Sequence, residues 1–259
     1  MKKLLIALAG AACLLSSVSA AQADQLQDIE KRGVIRIAVP QDFPPFGSVG
    51  TDLQPQGYDI DMARYLAKSM KLKLQLVPVT SANRVPYLQT RKVDLVISSL
   101  GKNPEREKAI DFSDAYAPFF NGVFGPADVK VASAADLAGK TIGVTRGAVE
   151  DIELTKIAPP TATLKRYEDN NGTITAFLSG QVPLIATGNV VAAAILARNP
   201  PKKPETKFLI KDSPCYIGLN KDEPKLRAKV NEILANAKRD GSLTAISKKW
   251  LGADLPKDL

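Results

Sequence analysis

Short apolar runs alternate with longer stretches of helical periodicity through most of the chain. In the first series, the strand-like runs lie at 34–39, 72–77 and 93–97, and the helical patterns at 57–70 and 83–90. A second series of similar design runs from 141 to 197. Strands that alternate with helices are typical of parallel sheets with crossover helices. The pattern therefore predicts an α/β protein with two βα series, followed by strands near 208–210 and 216–219 and two amphipathic C-terminal helices.

The N-terminal segment has the pattern of a secretory signal. Lys2 and Lys3 precede the apolar run from Leu4 to Leu15, and Ala21-Gln22-Ala23 offers small residues for cleavage. We therefore expect residues 1–23 to be a cleaved signal peptide and the mature protein to reside in the periplasm. Lipidation at Cys13 is an alternative, although a lipobox usually carries Leu three residues earlier, where this chain has Gly.

Composition and charge exclude several classes of function. The 259 residues carry a net charge of +8, but basic and acidic side chains are interspersed, so we expect no nucleic-acid partner. The chain has no histidine, which excludes serine–histidine and cysteine–histidine catalysis and any histidine-based zinc site. Cys215 is the one thiol outside the signal segment and is expected to be a buried strand residue. We expect neither a metal nor a cofactor.

Three segments together resemble one known family. The stretch Gly57-Tyr58-Asp59-Ile60-Asp61-Met62-Ala63-Arg64-Tyr65-Leu66-Ala67 resembles the signature of family 3 periplasmic solute-binding proteins, which serve polar amino acid transporters of the ATP-binding-cassette (ABC) type. Pro104-Glu105-Arg106 with Asp111-Phe112-Ser113, and the terminal Lys249-Trp250-Leu251-Gly252, are similar to further family segments. The three matches span most of the mature chain.

The resemblance implies a two-lobed periplasmic binding protein fold of type II, in which two hinge strands join the lobes and the ligand lies between them. Carried over to this chain, the first lobe comprises 24–119 plus 211–259, and the second comprises 122–208. The chain would cross between them near Phe120-Asn121 and Leu209-Ile210.

The resemblance also implies ligand contacts in the first lobe. Arg106 matches an arginine that grips the ligand α-carboxylate through its planar fork, a geometry that lysine cannot reproduce. Ser99 lies at the end of a strand, where open α/β sheets place their ligands. Gly101 stands where relatives often carry a hydroxyl, so only its amide remains. Phe43 matches an aromatic wall, although a loop aromatic of this kind is also a common packing residue, and Arg106 could be a solvated helix residue.

Two positions bear on the ligand side chain. Asn83-Arg84-Val85-Pro86 resembles the segment of glutamate- and aspartate-binding members in which the arginine faces an acidic side chain. Pro40 stands where binders of basic amino acids carry an aspartate. These positions favour a small polar or acidic amino acid, while Arg84 as a surface helix residue stays open.

The second lobe offers a helix N-terminus. Thr145-Arg146-Gly147-Ala148-Val149 joins a strand to a helix, and free amides at such an end suit a carboxylate. Relatives usually add hydroxyls at this turn, whereas Ala148 and Val149 leave only their amides. We expect these two residues to face the ligand through the backbone.

The expected partner of the ligand amine is missing. The family places an aspartate after the last strand of the second lobe, and this position falls on Gly188, followed by the uncharged Asn189. We include Gly188 and Asn189 among the candidate ligand-binding residues. Asp42, Glu150 or Asp169 could approach the amine from elsewhere.

The resemblance implies a transport receptor that makes and breaks no bond. We expect a monomer that captures a small polar or acidic amino acid and delivers it to the membrane permease of an ABC transporter. Two alternatives stay open. One is an enzyme similar to cyclohexadienyl dehydratase on the same scaffold, with Glu150 as a possible acid, and the other is a ligand-sensing protein for a separate receptor.

Overall fold

The computed structural model of the protein describes residues 24–257 and 259, so the predicted signal peptide and Cys13 lie outside the described residues. The α-helices are α1 (Gln25–Arg32), α2 (Tyr58–Ser69), α3 (Arg84–Gln89), α4 (Pro104–Ala109), α5 (Val149–Ile157), α6 (Asn170–Leu178), α7 (Asn189–Leu196), α8 (Pro224–Arg239) and α9 (Ser242–Leu251). The strands are β1 (Val34–Val39), β2 (Asp42–Phe43), β3 (Gly47–Val49), β4 (Pro55–Gln56), β5 (Lys73–Pro78), β6 (Leu95–Leu100), β7 (Asp111–Ala117), β8 (Phe120–Gly125), β9 (Thr141–Thr145), β10 (Thr163–Tyr167), β11 (Leu184–Gly188), β12 (Glu205–Asp212) and β13 (Cys215–Leu219).

Two five-stranded sheets form the centres of two lobes. The order is β5-β1-β6-β13-β7 in the first lobe and β10-β9-β11-β8-β12 in the second. Three neighbouring strands of each sheet are parallel, as the alternating pattern predicts, but the next two pair through antiparallel ladders. The reason is the connection: β8 and β13 each arrive directly from the other lobe, without the crossover helix that a parallel neighbour needs.

The chain passes between the sheets in two short segments, residues 118–119 between β7 and β8 and residues 213–214 between β12 and β13. The sequence places these passages near Phe120-Asn121 and Leu209-Ile210, whereas those residues lie inside β8 and β12. These strands pair with each other, and the pairing contains two register shifts that no local sequence pattern specifies.

The segment from 40 to 56, whose turn-rich sequence indicates a loop, folds into a small sheet of β2, β3 and β4. Gly57 ends it with φ of 138°, a backbone conformation that side chains rarely allow, and an added Cβ would overlap the carbonyl oxygen of Phe46. The amides of Tyr58 and Asp59 donate to the carbonyls of Pro45 and Phe46 at 3.0 and 2.9 Å. The glycine of the signature is therefore needed where the strand segment turns into α2.

Two of the family-like segments meet in space. Asp61 of α2 accepts a hydrogen bond from the Trp250 indole nitrogen at 2.8 Å and from the Lys249 ammonium at 2.6 Å. Trp250 therefore joins α9 to α2 through a polar contact as well as through packing. The sequence analysis places no element before Val34, but α1 forms there, capped by the Asp24 carboxylate. In the described part of the chain, no helix is long and apolar enough to cross a membrane.

Candidate functional site

A cavity lies between the two lobes, beyond the carboxyl ends of β1, β6 and β9, where α/β sheets place their ligands. Six of the predicted site residues line it: Phe43, Arg84, Ser99, Gly101, Ala148 and Val149. The cavity is about 20 Å³ for a water-sized sphere, which is room for one or two waters. An amino acid can therefore reach these residues only when the lobes move apart.

Arg84 brings a buried positive charge to the cavity. It is 5% exposed, and its Nε and Nη1 donate to the carbonyls of Ser81 and Ser98 at 3.2 and 2.7 Å. Burial lowers the pKa of this guanidinium, and Glu150 is the largest opposing influence. Arginine stays cationic in proteins, so a fixed positive charge faces the cavity. Arg84 is therefore a buried site residue rather than a surface helix residue.

Arg106 is equally buried but does not line the cavity. Its Nη1 donates to the carbonyl of Gly101 at 2.8 Å and its Nη2 to the carbonyl of Gly147 at 2.9 Å. The first acceptor belongs to the first lobe and the second to the turn before α5 in the second lobe. The planar fork therefore bridges the two lobes directly behind the cavity, and the predicted contact with a ligand carboxylate stays a prediction.

Ser99 is held in a strained conformation by a buried carboxylate. Its φ is +41°, unusual for a residue with a side chain, and its amide donates to Asp59 at 2.8 Å. The other Asp59 oxygen accepts from the Tyr116 hydroxyl at 2.6 Å. Burial raises the pKa of the Asp59 carboxyl to about 7. The signature aspartate therefore shapes the wall of the cavity from below without lining it.

Several polar residues that were not candidates from the sequence also line the cavity, among them Ser213 and Asn121. The Ser213 hydroxyl and the Asn121 amide nitrogen are buried and have no hydrogen-bond partner within the described residues. A Cβ on Gly101 would overlap the Ser213 oxygen, so Ser213 occupies the space that a side chain at 101 would need. Ser213 has no strand-end or motif signal in the sequence, because it reaches the cavity from the second passage between the lobes.

Phe43 forms an aromatic wall with two neighbours. Its ring centroid lies 6.0 Å from that of Phe46 and 6.1 Å from that of Phe119. Phe46 and Phe119 pack edge to face at 5.5 Å. Phe43 and Phe119 line the cavity, whereas Phe46 is fully buried behind them. The wall is apolar, as is common in small-molecule sites with few polar anchors.

The N-terminus of α5 brings Ala148, Val149 and Glu150 to the cavity. Ala148 and Val149 supply no side-chain cap to the helix, as their sequence predicts. Glu150 is 4% exposed, and burial raises the pKa of its carboxyl to about 7. The sequence analysis named it as one of three possible amine partners, but nothing in the sequence shows that it is buried.

Gly188 and Asn189 do not line the cavity. A Cβ on Gly188 would lie 2.8 Å from Cε1 of Phe119 and nearer still to Cζ and Cε2. The Phe119 ring therefore fills the position that a side chain at 188 would take. Asn189 accepts a hydrogen bond from the amide of Phe120 at 3.1 Å, which joins α7 to the start of β8. Their roles as ligand contacts stay predictions.

Side chains from the two lobes meet at the rim of the cavity. The Asp42 carboxylate of the first lobe accepts from the backbone and side-chain nitrogens of Asn170 in the second, at 2.7 and 2.9 Å. Outside the cavity lining, Lys156 of α5 pairs with Glu105 of α4 at 3.0 Å. With the Arg106 bridge, these contacts exist only while the lobes are closed.

The described residues contain no group of three Cys, Asp or Glu side chains placed to bind a metal ion. What the cavity does offer is one buried cation, one buried carboxylate, unpaired hydrogen-bond donors and an aromatic wall. This set can bind a small molecule that carries both signs of charge.

In comparisons with known proteins, the chain is similar to solute-binding proteins. Residues 35–253 match the sequence family described as bacterial extracellular solute-binding proteins, family 3. The chain is 26% identical over 249 residues to the L-cystine-binding protein of Escherichia coli (strain K12), covering 94% of this chain and 92% of that protein. It is 29% identical over 222 residues to ABC transporter arginine-binding protein 1 of the same strain, covering 83% and 90%.

Solved structures show the same two-lobed architecture. The solute receptor for L-cysteine of Neisseria gonorrhoeae matches with a TM-score of 0.82 at 33% identity, covering 87% of this chain and 93% of that one. An ancestral amino acid-binding protein, described as a precursor of cyclohexadienyl dehydratase, matches with a TM-score of 0.80 at 30% identity, covering 87% and 98%. The relatives therefore bind different amino acids on one scaffold.

Proposed function

Because the chain belongs to the bacterial extracellular solute-binding proteins of family 3, we propose that it captures a small polar or acidic amino acid for an ABC transporter. The observation that carries this proposal is the pair of opposite charges buried at one cavity, Arg84 at 5% and Glu150 at 4% exposure. Burying either charged end of an amino acid without a partner costs several kcal/mol, roughly. A cavity that holds one cationic side chain and one ionisable carboxyl suits a zwitterion.

Capture would follow from the contacts between the lobes. The Arg106 bridge to Gly147 and the Asp42 contact with Asn170 need the closed arrangement. A ligand that contacts both lobes favours a closed state over the open one, and the closed state that holds an amino acid must be wider than the present cavity of about 20 Å³. The closed receptor, acting as a monomer in the periplasm after cleavage of its signal peptide, would then deliver the amino acid to a membrane permease.

Ligand binding to the mature chain, starting at Asp24, tests the proposal. After unfolding, dialysis and refolding, the protein is screened by thermal shift against L-glutamate, L-aspartate, L-glutamine, L-cysteine, L-cystine, L-arginine and L-lysine. A ligand that binds only the native state raises the melting temperature, by an amount that grows with its concentration over Kd. We expect a response to a polar or acidic member of this panel, and we expect Arg84→Met to lose it.

Arg146→Met is the matched control, because Arg146 is half exposed, pairs with Glu168 and does not line the cavity. It should keep the response of the wild type. A response only to carboxylates without an amine would contradict the amino acid assignment, and a best response to L-lysine or L-arginine would contradict the polar or acidic class.

The buried carboxyl also favours a second candidate, a dehydratase. A carboxylic acid with a pKa near 7, as burial gives Glu150, is suited to donate a proton at neutral pH. Incubation with prephenate or arogenate decides this candidate. Formation of phenylpyruvate or phenylalanine that Glu150→Gln abolishes would support the enzyme, and substrate that stays intact would exclude these two reactions.

A further inference from the structure

We propose that Glu150 supplies the negative charge that pairs with the ligand α-ammonium group, in place of a carboxylate at position 188. This inference rests on the proposed function and deepens it, because it assigns the ligand a free amine and names the residue that recognises it.

Position 188 is closed to any side chain. The Phe119 ring lies against Gly188 so tightly that even a Cβ would fall within 2.8 Å of three ring atoms. Phe119 is itself fixed by its packing against Phe43 and Phe46. Since an amine in a closed site needs a counter-charge, the charge must come from another element.

Two other acidic candidates are already engaged. The Asp169 carboxylate caps α6 by accepting from the amide of Gly172 at 2.7 Å, and it does not line the cavity. Asp42 does line the cavity, but one of its oxygens accepts both hydrogen bonds from Asn170 across the lobes. One of its two oxygens is therefore engaged in closing the rim.

Glu150 is the acidic residue that lines the cavity and, in the described part of the chain, accepts no hydrogen bond from another residue's side chain. Its side chain is more than nine-tenths buried, and it lines the cavity beside Arg84. Within the described residues no side chain donates a hydrogen bond to its carboxylate, and no lysine or arginine nitrogen lies within ion-pair distance of it. Apart from its own backbone amide, this buried carboxylate has no partner among the described residues, so it is placed to pair with a cation brought by the ligand.

The charged groups around Glu150 determine its ionisation, and through it the pH dependence of amino acid affinity. Arg84 of α3 and Arg106 of α4 favour its ionised form, whereas Asp151 on the same helix and burial oppose it. Asp42 lines the same cavity from β2. With a pKa of about 7 in the free protein, Glu150 must lose a proton before it can pair with an ammonium. Affinity for an amino acid should therefore fall as the pH drops below 7.

The closing experiment is isothermal titration calorimetry on the refolded mature protein, with pairs of probes that differ only in the amine. The pairs are L-glutamate and glutarate, L-aspartate and succinate, and L-cysteine and 3-mercaptopropionate. The wild type should bind one amino acid and should prefer it strongly to its amine-free counterpart. From pH 8 to 5.5 the affinity for that amino acid should fall about 30-fold, as one proton competes with the ligand at a group with a pKa of about 7.

Glu150→Gln should weaken binding of the amino acid by at least about 30-fold at pH 8, the loss expected for one partner of a buried charge pair. It should leave binding of the amine-free probe unchanged or improved, and it should abolish the pH dependence. Glu153→Gln, which removes a carboxylate from the same helix outside the cavity, should behave as the wild type does.

The outcomes separate the two proposals. If the wild type binds no amino acid, the proposed function fails and this inference with it. If the wild type binds an amino acid and Glu150→Gln matches it in affinity and pH dependence, only the inference is overturned. A loss of the pH dependence in Asp42→Asn but not in Glu150→Gln would also overturn it and would assign the amine to Asp42.

Discussion

Substitution of Gly188 by alanine tests the packing that excludes a carboxylate from this position. Gly188 has a φ of −76°, so alanine can adopt its backbone conformation without strain. The added methyl group would instead press into the Phe119 ring, with three ring atoms within 2.8 Å, where carbon atoms normally stay about 3.5–4.0 Å apart. The whole effect should therefore come from steric overlap.

The expected magnitude follows from two opposing terms. Overpacking of a tight interior costs about 2 kcal/mol, and replacing glycine lowers the entropy of the unfolded chain, which returns about 0.5 kcal/mol. The net loss of about 1.5 kcal/mol should lower the melting temperature by roughly 3–6 °C in a protein of this size. Gly172→Ala is the control, because the nearest atom to its Cβ lies at 3.3 Å and the residue is helical, so it should be neutral or stabilising.

A double-mutant cycle with Phe119→Leu tests whether overlap with the Phe119 ring causes the stability loss of Gly188→Ala. Leucine lacks the three ring atoms that would meet the methyl group, so Gly188→Ala should cost almost nothing in that background. Phe119→Leu alone should cost about 1–2 kcal/mol, since it keeps part of the apolar volume. Urea unfolding of the four proteins measures the coupling. Additive losses, within about 0.5 kcal/mol, would refute the overlap between the two positions.

Three further predictions follow from single sites. Arg106→Lys cannot hold the carbonyls of Gly101 and Gly147 at once, so amino acid affinity should fall about tenfold, measured by calorimetry, and amide exchange at Gly147 should rise. The folded state raises the pKa of Glu150 and of Asp59 to about 7, so each carboxyl keeps a proton that the unfolded chain releases. Each should therefore add about 2 kcal/mol to the free energy of unfolding from pH 8 to 5.5, and in urea titrations Glu150→Gln should remove about half of the total increase. Cys215 is fully buried and burial raises its thiol pKa, so a thiol-reactive dye should label it only after unfolding; rapid labelling of the native protein would contradict this.

The parts of the fold that depend on local periodicity could be predicted from the sequence. The helix after Gly57 and the strand at Val34–Val39 have clear patterns, and both lie where expected. The antiparallel strands could not be predicted in their places. β8 and β12 pair across some 80 residues of chain through a ladder with two register shifts, and this partnership depends on the whole second lobe.

The site residues, like the strands, could be predicted only in part from the sequence. Arg84 and Ser99 follow from motif and strand position, and both line the cavity. The burial of Glu150 could not be foreseen, because a carboxylate in the first turn of a helix is equally common on a surface, where it stabilises the helix dipole. Only the approach of the first lobe, with Arg84 on it, turns this surface position into a buried one.

The two departures from the family pattern have one structural explanation. The space beside Gly188 is filled by Phe119, and the space beside Gly101 by Ser213. These two residues lie in the two short passages between the lobes, and the Ser213 amide donates to the Phe119 carbonyl at 3.0 Å. The passages that join the lobes therefore also form part of the cavity wall.

Some cavity residues should affect both ligand affinity and lobe closure, whereas others should affect ligand affinity alone. A change at Phe119 or Ser213 alters the cavity wall and the passage through which the lobes turn, so affinity and closure must shift together there. Glu150 belongs to α5 and not to either passage, although it lines the same cavity. Substitution of Glu150 should therefore change which ligand closes the lobes while leaving the passages intact, which makes it the position where ligand specificity can be altered on its own.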